Sequence, residues 1–461
     1  MNRTTIFLAA AGVLALIAVV VGLPRTHFVS TPVIGNPGPS LASDGSLSMS
    51  ARLSHPYIGL GQSDEFVTVE ISGVTLKDSV RAPVNLALVI DRSGSMSGYK
   101  LDQAKSAARQ LVSQLNSQDR LAIVHFGSDV KSMDGLMATE DNKRRMLQFI
   151  DGIWDDGGTN IGSGLTTGRD LLMVANGFKV NRLILISDGQ PTEGVTDLES
   201  LKSVARGIRT NGISVSSIGV GSDFNEDLMQ AFAEIGAGSY GYLADASQLS
   251  TVFSRDLAQA GTQVARNVTL TFELPAGVRL GEVLGYPASQ AGSTVRMSLP
   301  DFSSGQLERI VARVVVNGGR SGDSIDVSQL KLDYTDLLKN GFVESTAAVS
   351  AMVTDKAQVV LDNRDKDAIV FAARARSALN TENAAKALEN GDEAQANKLL
   401  NENAFFFEEA AQVAGQQAVQ QDIVDNDSMK RDFAKPADAP AAAKAAKRKA
   451  RIDYGLSAHT Y

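Results

Sequence analysis

The chain has 461 residues, more than one compact core accommodates, so two or three domains are expected. Hydrophobic residues make up 43% and charged ones 21%, as in a soluble globular protein, and a formal net charge of −8 argues against nucleic acid as the main partner. The absence of cysteine excludes disulfides, thiolate metal sites and thiol nucleophiles, and His27, His55, His125 and His459 lack the close spacing of a zinc enzyme.

At the N-terminus, residues Ile6 to Leu23 are uninterrupted apolar side chains and glycine. At about 1.5 Å per residue that run spans roughly 27 Å, close to a bilayer core. It is longer than a usual signal-peptide core, and the best cleavage site, after Gly22, is poor. Residues 1–23 are therefore expected to be a membrane anchor rather than a cleaved signal. Either one places the bulk of the chain outside the cytoplasm, at the cell envelope if anchored and secreted if cleaved. Residues 24–46, with Thr31-Pro32 and Gly35-Asn36-Pro37-Gly38-Pro39-Ser40, read as a flexible spacer.

From Leu47 the pattern becomes strand-like, with Phe66, Val67, Val69, Ile71 and Val74 largely alternating with polar residues. A new rhythm starts at Val84. The run Val84 to Ile90 is apolar apart from Asn85, as expected of a strand buried on both faces. Helical patterns at Lys100–Leu115, Glu140–Ile153, Ile161–Ala175, Leu198–Arg209 and Glu226–Ile235 then alternate with strand patterns at Leu121–Phe126, Arg182–Ser187 and Ile213–Val220. Residues 84–260 are thus expected to form an α/β domain with a doubly wound, mostly parallel sheet.

Beyond it, Val268–Leu274, Thr294–Leu299, Arg309–Val316 and Leu330–Tyr334 read as strands of a β-sandwich-like region, residues 261–355. The strands of residues 47–83 are expected to pair with it, which makes the α/β domain an insertion. Residues 356–425 carry helical periodicity broken at Asn390-Gly391-Asp392, the pattern of a helical hairpin. Residues 426–461, biased to Ala, Lys and Pro, read as a disordered basic tail, with Lys444, Lys447, Arg448, Lys449 and Arg451 solvated.

The segment with the most chemistry is Asp91-Arg92-Ser93-Gly94-Ser95-Met96, at the carboxyl end of the first buried strand, the edge where open α/β sheets bind ligands. On its own, this turn is equally well explained by Asp91 capping the next helix. Two further pieces fall on the same edge: Gly157-Gly158-Thr159-Asn160, leading into a helix, and Ile186-Ser187-Asp188-Gly189, ending another core strand. Asp155 and Asp156 ahead of the glycine turn read as a solvated loop, and His125, inside a strand, as structural.

The set Asp91, Ser93 and Ser95, then Thr159, then Asp188 resembles the metal-ion-dependent adhesion site of von Willebrand factor type A domains, and the stretches Asp91–Met96 and Asp188–Glu193 resemble its bacterial members. The resemblance covers Val84 to about Ala260. It implies a divalent metal held by these five residues, and an open coordination position filled by a carboxylate of a partner protein. Hard oxygen ligands with few charges suit Mg²⁺ best, with Mn²⁺ or Ca²⁺ as alternatives. The flanking β-region is more loosely similar to inter-alpha-trypsin-inhibitor heavy chains.

The expected function is metal-dependent protein binding or adhesion, not catalysis, because no acid–base pair or nucleophile system stands out. The alternative is a subunit that works with an AAA+ ATPase, as in metal chelatases. There is no P-loop. Gly162, Gly164 and Gly168 imitate a dinucleotide fingerprint but open a helix after a loop, with the wrong final spacing. Gly94-Ser95-Met96-Ser97-Gly98 has methionine where a nucleophile elbow needs serine.

Overall fold

A computed structural model of the chain describes residues 39–76, 81–221, 224–243, 249–434 and 439–454. The expected anchor, Ile6 to Leu23, lies outside them. Among the described residues no helix is long and apolar enough to cross a membrane.

The α/β class is what the chain adopts. A six-stranded sheet runs in the order Ala237–Leu243, Ile213–Val220, Val180–Ser187, Val84–Asp91, Arg120–Phe126, Val130–Met137. All neighbours are parallel except the last pair. Val84–Asp91 sits in the middle and is buried at every position, because helices cover both faces. One face packs on Tyr99–Gln114, Glu140–Asp151 and Leu249–Gly261, the other on Ile161–Met173, Leu198–Thr210 and Glu226–Ile235. Asn85, the polar exception, is satisfied: its amide donates to Leu172 O and Asn181 Oδ1, and its oxygen accepts from Arg120.

The three glycines that imitate a nucleotide fingerprint belong to Ile161–Met173, and two of them let this helix lie close on the sheet. A Cβ at Gly164 would come within 2.6 Å of the Phe126 ring, and one at Gly168 within 2.8 Å of Val89. Small residues here bring the helix start, and Thr159 just before it, down to the carboxyl edge of the strands.

Strands on both sides of this domain build two further sheets. One has the order Ser40–Asp44, Leu47–Leu53, Gly61–Gly73, Leu307–Gly318, Val278–Leu284. The other runs Ser289–Ala291, Thr294–Ser298, Gln263–Glu273, Ser324–Asp336, Gly341–Val353, Tyr57–Ile58. They enclose one apolar core containing Val67, Val69, Leu270, Phe272, Val314 and Leu332. The entry and exit of the α/β insertion lie side by side, where Ala82 N donates to Gly261 O at 2.8 Å. Arg209 forks onto Asp301 at 2.6 and 3.0 Å, tying the insertion to the sandwich.

Two expectations are corrected. The end of the supposed spacer, Ser40–Asp44, is a strand paired with Leu47–Leu53, and Tyr334 Oη donates to the Asp44 carbonyl at the turn between them. Where the supposed disordered tail is described, it is helical: after the hairpin Lys366–Glu389 and Glu393–Ala414 come Gln420–Ala434 and Ala439–Asp453. The last helix packs on Lys366–Glu389 through buried Ala443, Ala446 and Ala450.

Arg448 is exposed, as expected of a solvated residue, but the other basic residues of this helix are engaged. Lys447 bridges Glu226 at 3.1 Å and Glu389 at 2.9 Å, Arg451 holds Glu234 at 2.8 Å, and Lys444 lies over the Phe224 ring. The charge run reads as solvent-seeking in isolation. Acidic partners from the α/β domain and the helical hairpin turn it into a clamp.

Candidate functional site

The parallel register sets Ile90 beside Ile186, so Asp91 and the Ser187–Asp188 pair leave the sheet side by side. Ser187 Oγ donates to Asp91 Oδ2 at 2.5 Å. Asp91 does not cap a helix. Its Oδ1 accepts from the backbone N of Ser93 at 2.8 Å, which folds the turn and aims both serine hydroxyls the same way. Ser93 Oγ and Ser95 Oγ are 3.1 Å apart, and Ser95 Oγ donates to Asp188 Oδ1 at 2.9 Å.

Four of the five predicted residues are thus joined by hydrogen bonds. Thr159 arrives on its own loop, fastened where Gly94 N donates to Gly157 O and Thr159 N donates to Thr192 Oγ1. Asp91, Ser93, Thr159 and Asp188 are buried, while Ser95 is exposed at the mouth.

Burial pushes the Asp91 carboxyl up to about 6, against hydrogen bonds from Ser187 and Ser93 that pull it down, with the Asp188 charge adding to the rise. A carboxylate held that way in low dielectric is stabilised by a cation placed beside it. On the Asp188 side one is present: Lys100 Nζ lies 3.0 Å from Oδ2 and leaves Oδ1 to Ser95. The donor set is two carboxylates and three hydroxyls, all hard oxygens, and it fits a small divalent ion of the Mg²⁺ kind.

Sequence reasoning missed the residues that hold this set in place. Ser187 and Lys100 orient the two carboxylates. Arg92, fully buried, braces three loops from beneath: its guanidinium reaches the Asp156 carbonyl and pairs with Asp129, while its own carbonyl accepts from Asp156 N. Asn225 caps the helix Glu226–Ile235, and its backbone N donates to the Asp188 carbonyl at 3.3 Å. The i, i+2 and i+7 positions of Ser93, Ser95 and Lys100 were the available signal for lysine. Nothing local marks Ser187, which reads as one more strand residue.

His125 is buried in the strand Arg120–Phe126, its ring 5.4 Å from that of Phe149. Burial, then the Arg92 and Lys131 charges, push its imidazole down to about 4, with Asp129 opposing them. The folded state therefore binds fewer protons than the unfolded one between pH 6.5 and 4. Stability is full above the upper value and falls as pH drops through that window, by at most about 3 kcal/mol from this group. Urea midpoints between pH 7 and 4.5 are expected to fall less steeply in His125→Gln; an unchanged slope counts against this account.

The sequence model of the von Willebrand factor type A domain matches residues 85–255. The uncharacterized protein YfbK of Escherichia coli K12 is 30% identical over 256 residues, covering 52% of this chain and 43% of that one. Inter-alpha-trypsin inhibitor heavy chain H2 of Sus scrofa is 29% identical over 243 residues, covering 50% of this chain and 24% of that one. The chain thus spans less than half the length of these curated relatives.

Among solved structures, a von Willebrand factor type A protein from Catenulispora acidiphila superposes with a TM-score of 0.67 at 16% identity, covering 90% of this chain and 97% of that one. The ArnB paralog VWA2 of Sulfolobus acidocaldarius gives 0.58 at 18% identity, covering 89% and 99%. The likeness in fold therefore extends well beyond the inserted domain.

Proposed function

Since residues 85–255 form a von Willebrand factor type A domain, a module that generally mediates protein–protein interaction, we propose that this chain binds a partner protein through a divalent cation held by Asp91, Ser93, Ser95, Thr159 and Asp188. The observation that carries the reading is the hydrogen-bonded convergence of Asp91, Ser93, Ser95 and Asp188 from two loops, with Thr159 on a third. These residues supply a low-charge, oxygen-only cradle. The two carboxylates neutralise the ion at most, and its remaining affinity is for another anionic oxygen, a carboxylate of the partner. When bound, the ion supplies that electrostatic link; the chain itself supplies orientation.

Lys100 keeps Asp188 turned toward Ser95, Ser187 does the same for Asp91, and the Arg92 brace fixes the distance between the loops. In this reading the site stands at the cell envelope, a placement that rests on the apolar run Ile6 to Leu23 and is tested by protease accessibility in permeabilised cells.

The test of the function is capture of partner proteins from envelope extracts by the full chain, with Mg²⁺ or with chelator. A partner set lost in chelator supports the reading; the same set under both conditions overturns it. The full chain is used, because the helix Ala439–Asp453 packs on the rest.

A further inference from the structure

We propose that the collar around this site selects a partner segment whose metal-seeking Asp or Glu is flanked by lysine or arginine, with Trp154 as the apolar wall against which it lies. The proposal rests on the reading of the metal site given above, and it concerns what surrounds the five ligands.

Trp154 is the chain's single tryptophan and is 58% exposed. An exposed indole is costly for a solvent surface and common at the centre of binding surfaces. It is held in place: Lys131 Nζ lies 4.6 Å from the ring centroid. A fixed side chain loses little entropy when a partner covers it.

Its loop is interlocked with the ligand loop. Asp156 N donates to Arg92 O, Gly94 N donates to Gly157 O, and Arg92 pairs with Asp129 across the gap. A Cβ at Gly157 would come within 2.5 Å of Ser128 Oγ, so the 127–131 and 154–159 loops touch. Trp154 is therefore seated on the same edge as Ser93 and Ser95, and on the rim of the same site.

The charges of that rim decide what can approach. Asp155 is exposed, and among the described residues no ion pair engages it. Asp156 is 67% exposed, with Arg92 at 3.5 Å, and Asp129 is 56% exposed. Glu193 accepts from Ser128 Oγ at 2.5 Å, which turns its carboxylate toward the same mouth. Among the described residues, with Asp91 and Asp188 these make six carboxylates, against Arg92, Lys100 and Lys131. A divalent ion raises the positive side to five charges.

A bare carboxylate thus meets a net negative collar even with the metal in place. At contact distances like-charge repulsion of this sort opposes the very bond the metal offers. A basic residue on either side of the incoming carboxylate reverses the sign, since it lies against Asp155 and Asp156 while its neighbour reaches the ion. The stem of that basic residue is apolar and packs on the indole.

Because Trp154 is the sole tryptophan, its emission reports directly from the rim. The full chain, loaded with Mg²⁺, is titrated with peptides of equal length that differ only beside one central aspartate: lysine, serine or glutamate on both sides, and the lysine peptide with asparagine at the centre. Calorimetry reads binding in parallel. The lysine-flanked peptide is expected to bind roughly tenfold tighter than the serine one, a difference of about 1.4 kcal/mol, and to shift the Trp154 emission to the blue. The glutamate and asparagine peptides are expected to give no response.

The paired substitution Asp155→Asn with Asp156→Asn is expected to erase the lysine preference. Trp154→Phe, followed by calorimetry alone, is expected to weaken the lysine peptide several-fold. The proposal is overturned if the lysine and serine peptides bind within about twofold of one another, if the paired variant keeps the preference, or if none binds while Mg²⁺ does. Failure of Mg²⁺ itself to bind overturns instead the metal reading on which the proposal stands.

Discussion

Asp188→Ala is expected to remove divalent-metal binding, and metal-dependent capture with it, while leaving the domain folded. Asp188 is one of two carboxylates in the proposed ligand set, and its two oxygens serve different partners, Ser95 at Oδ1 and Lys100 at Oδ2. Removing it halves the negative charge of the cradle and frees the Ser95 hydroxyl to rotate. Loss of an outer-shell group alone costs metal sites roughly 10–100-fold in affinity, so loss of this ligand is expected to exceed 100-fold.

The metal-free protein should barely notice the change. The lost contact with partly exposed Lys100 is offset by relief of the repulsion that Asp188 exerts on buried Asp91. Thermal unfolding separates the two effects. Saturating Mg²⁺ is expected to stabilise the parent chain by about 2.7 kcal/mol at a hundred times the dissociation constant. Asp188→Ala should show no shift with Mg²⁺ and a metal-free transition close to that of the parent. Asp188→Asn keeps the hydrogen-bonding shape without the charge, and is expected to behave as the alanine variant does. A Mg²⁺-dependent shift that survives in either variant removes Asp188 from the site.

The convergence of these five residues on one edge was legible because each lies next to a segment whose pattern is strong. Val84–Asp91 and Val180–Ser187 are buried strands, and a buried parallel strand shows itself as an apolar run. The residues that follow such runs fall on one edge by topology alone. What the pattern does not carry is the bracing. Ser187 lies inside the apolar run and Lys100 inside an amphipathic helix, so neither departs from what its element needs.

The edge strand Val130–Met137 was missed for a related reason. It alternates weakly, is half exposed, and contains Asp134 and Gly135, residue types depleted in strands. Gly135 is there for space: a Cβ would fall about 2.1 Å from the Arg120 guanidinium carbon. The C-terminal helix was misread because its composition, alanine with lysine and arginine, is also that of a solvated tail. Its acidic partners lie 221 and 217 residues upstream, beyond any local window.

Those partners make a second large effect testable. Lys447→Ala combined with Arg451→Ala is expected to undock the helix Ala439–Asp453 and to destabilise the chain by about 3 kcal/mol, the low end of the range for breaking buried pairs, because Glu234 and Glu389 are part-exposed. Burial pulls the Lys447 ammonium down, but Glu389 and Glu226 outweigh it and hold it above its ordinary range. Removing the lysine leaves Glu226, 10% exposed, without that counter-charge. Arg451, itself 10% exposed, also lies 5.3 Å over the Tyr240 ring, so its loss uncovers an aromatic of the central core.

Since Glu226 begins the helix capped by Asn225, which hydrogen-bonds the Asp188 carbonyl, the strain of undocking reaches the sheet edge that carries Asp188 through one short helix. The double variant is therefore expected to lower Mg²⁺ affinity several-fold as well as stability, although neither residue touches the site. Trypsin reads the undocking directly, because Lys444 and Lys449 remain as cleavage points that docking buries or partly buries. Cleavage as slow as in the parent chain, together with an unchanged unfolding midpoint, would falsify the clamp. Faster cleavage with unaltered Mg²⁺ affinity would keep the clamp and break its link to Asp188.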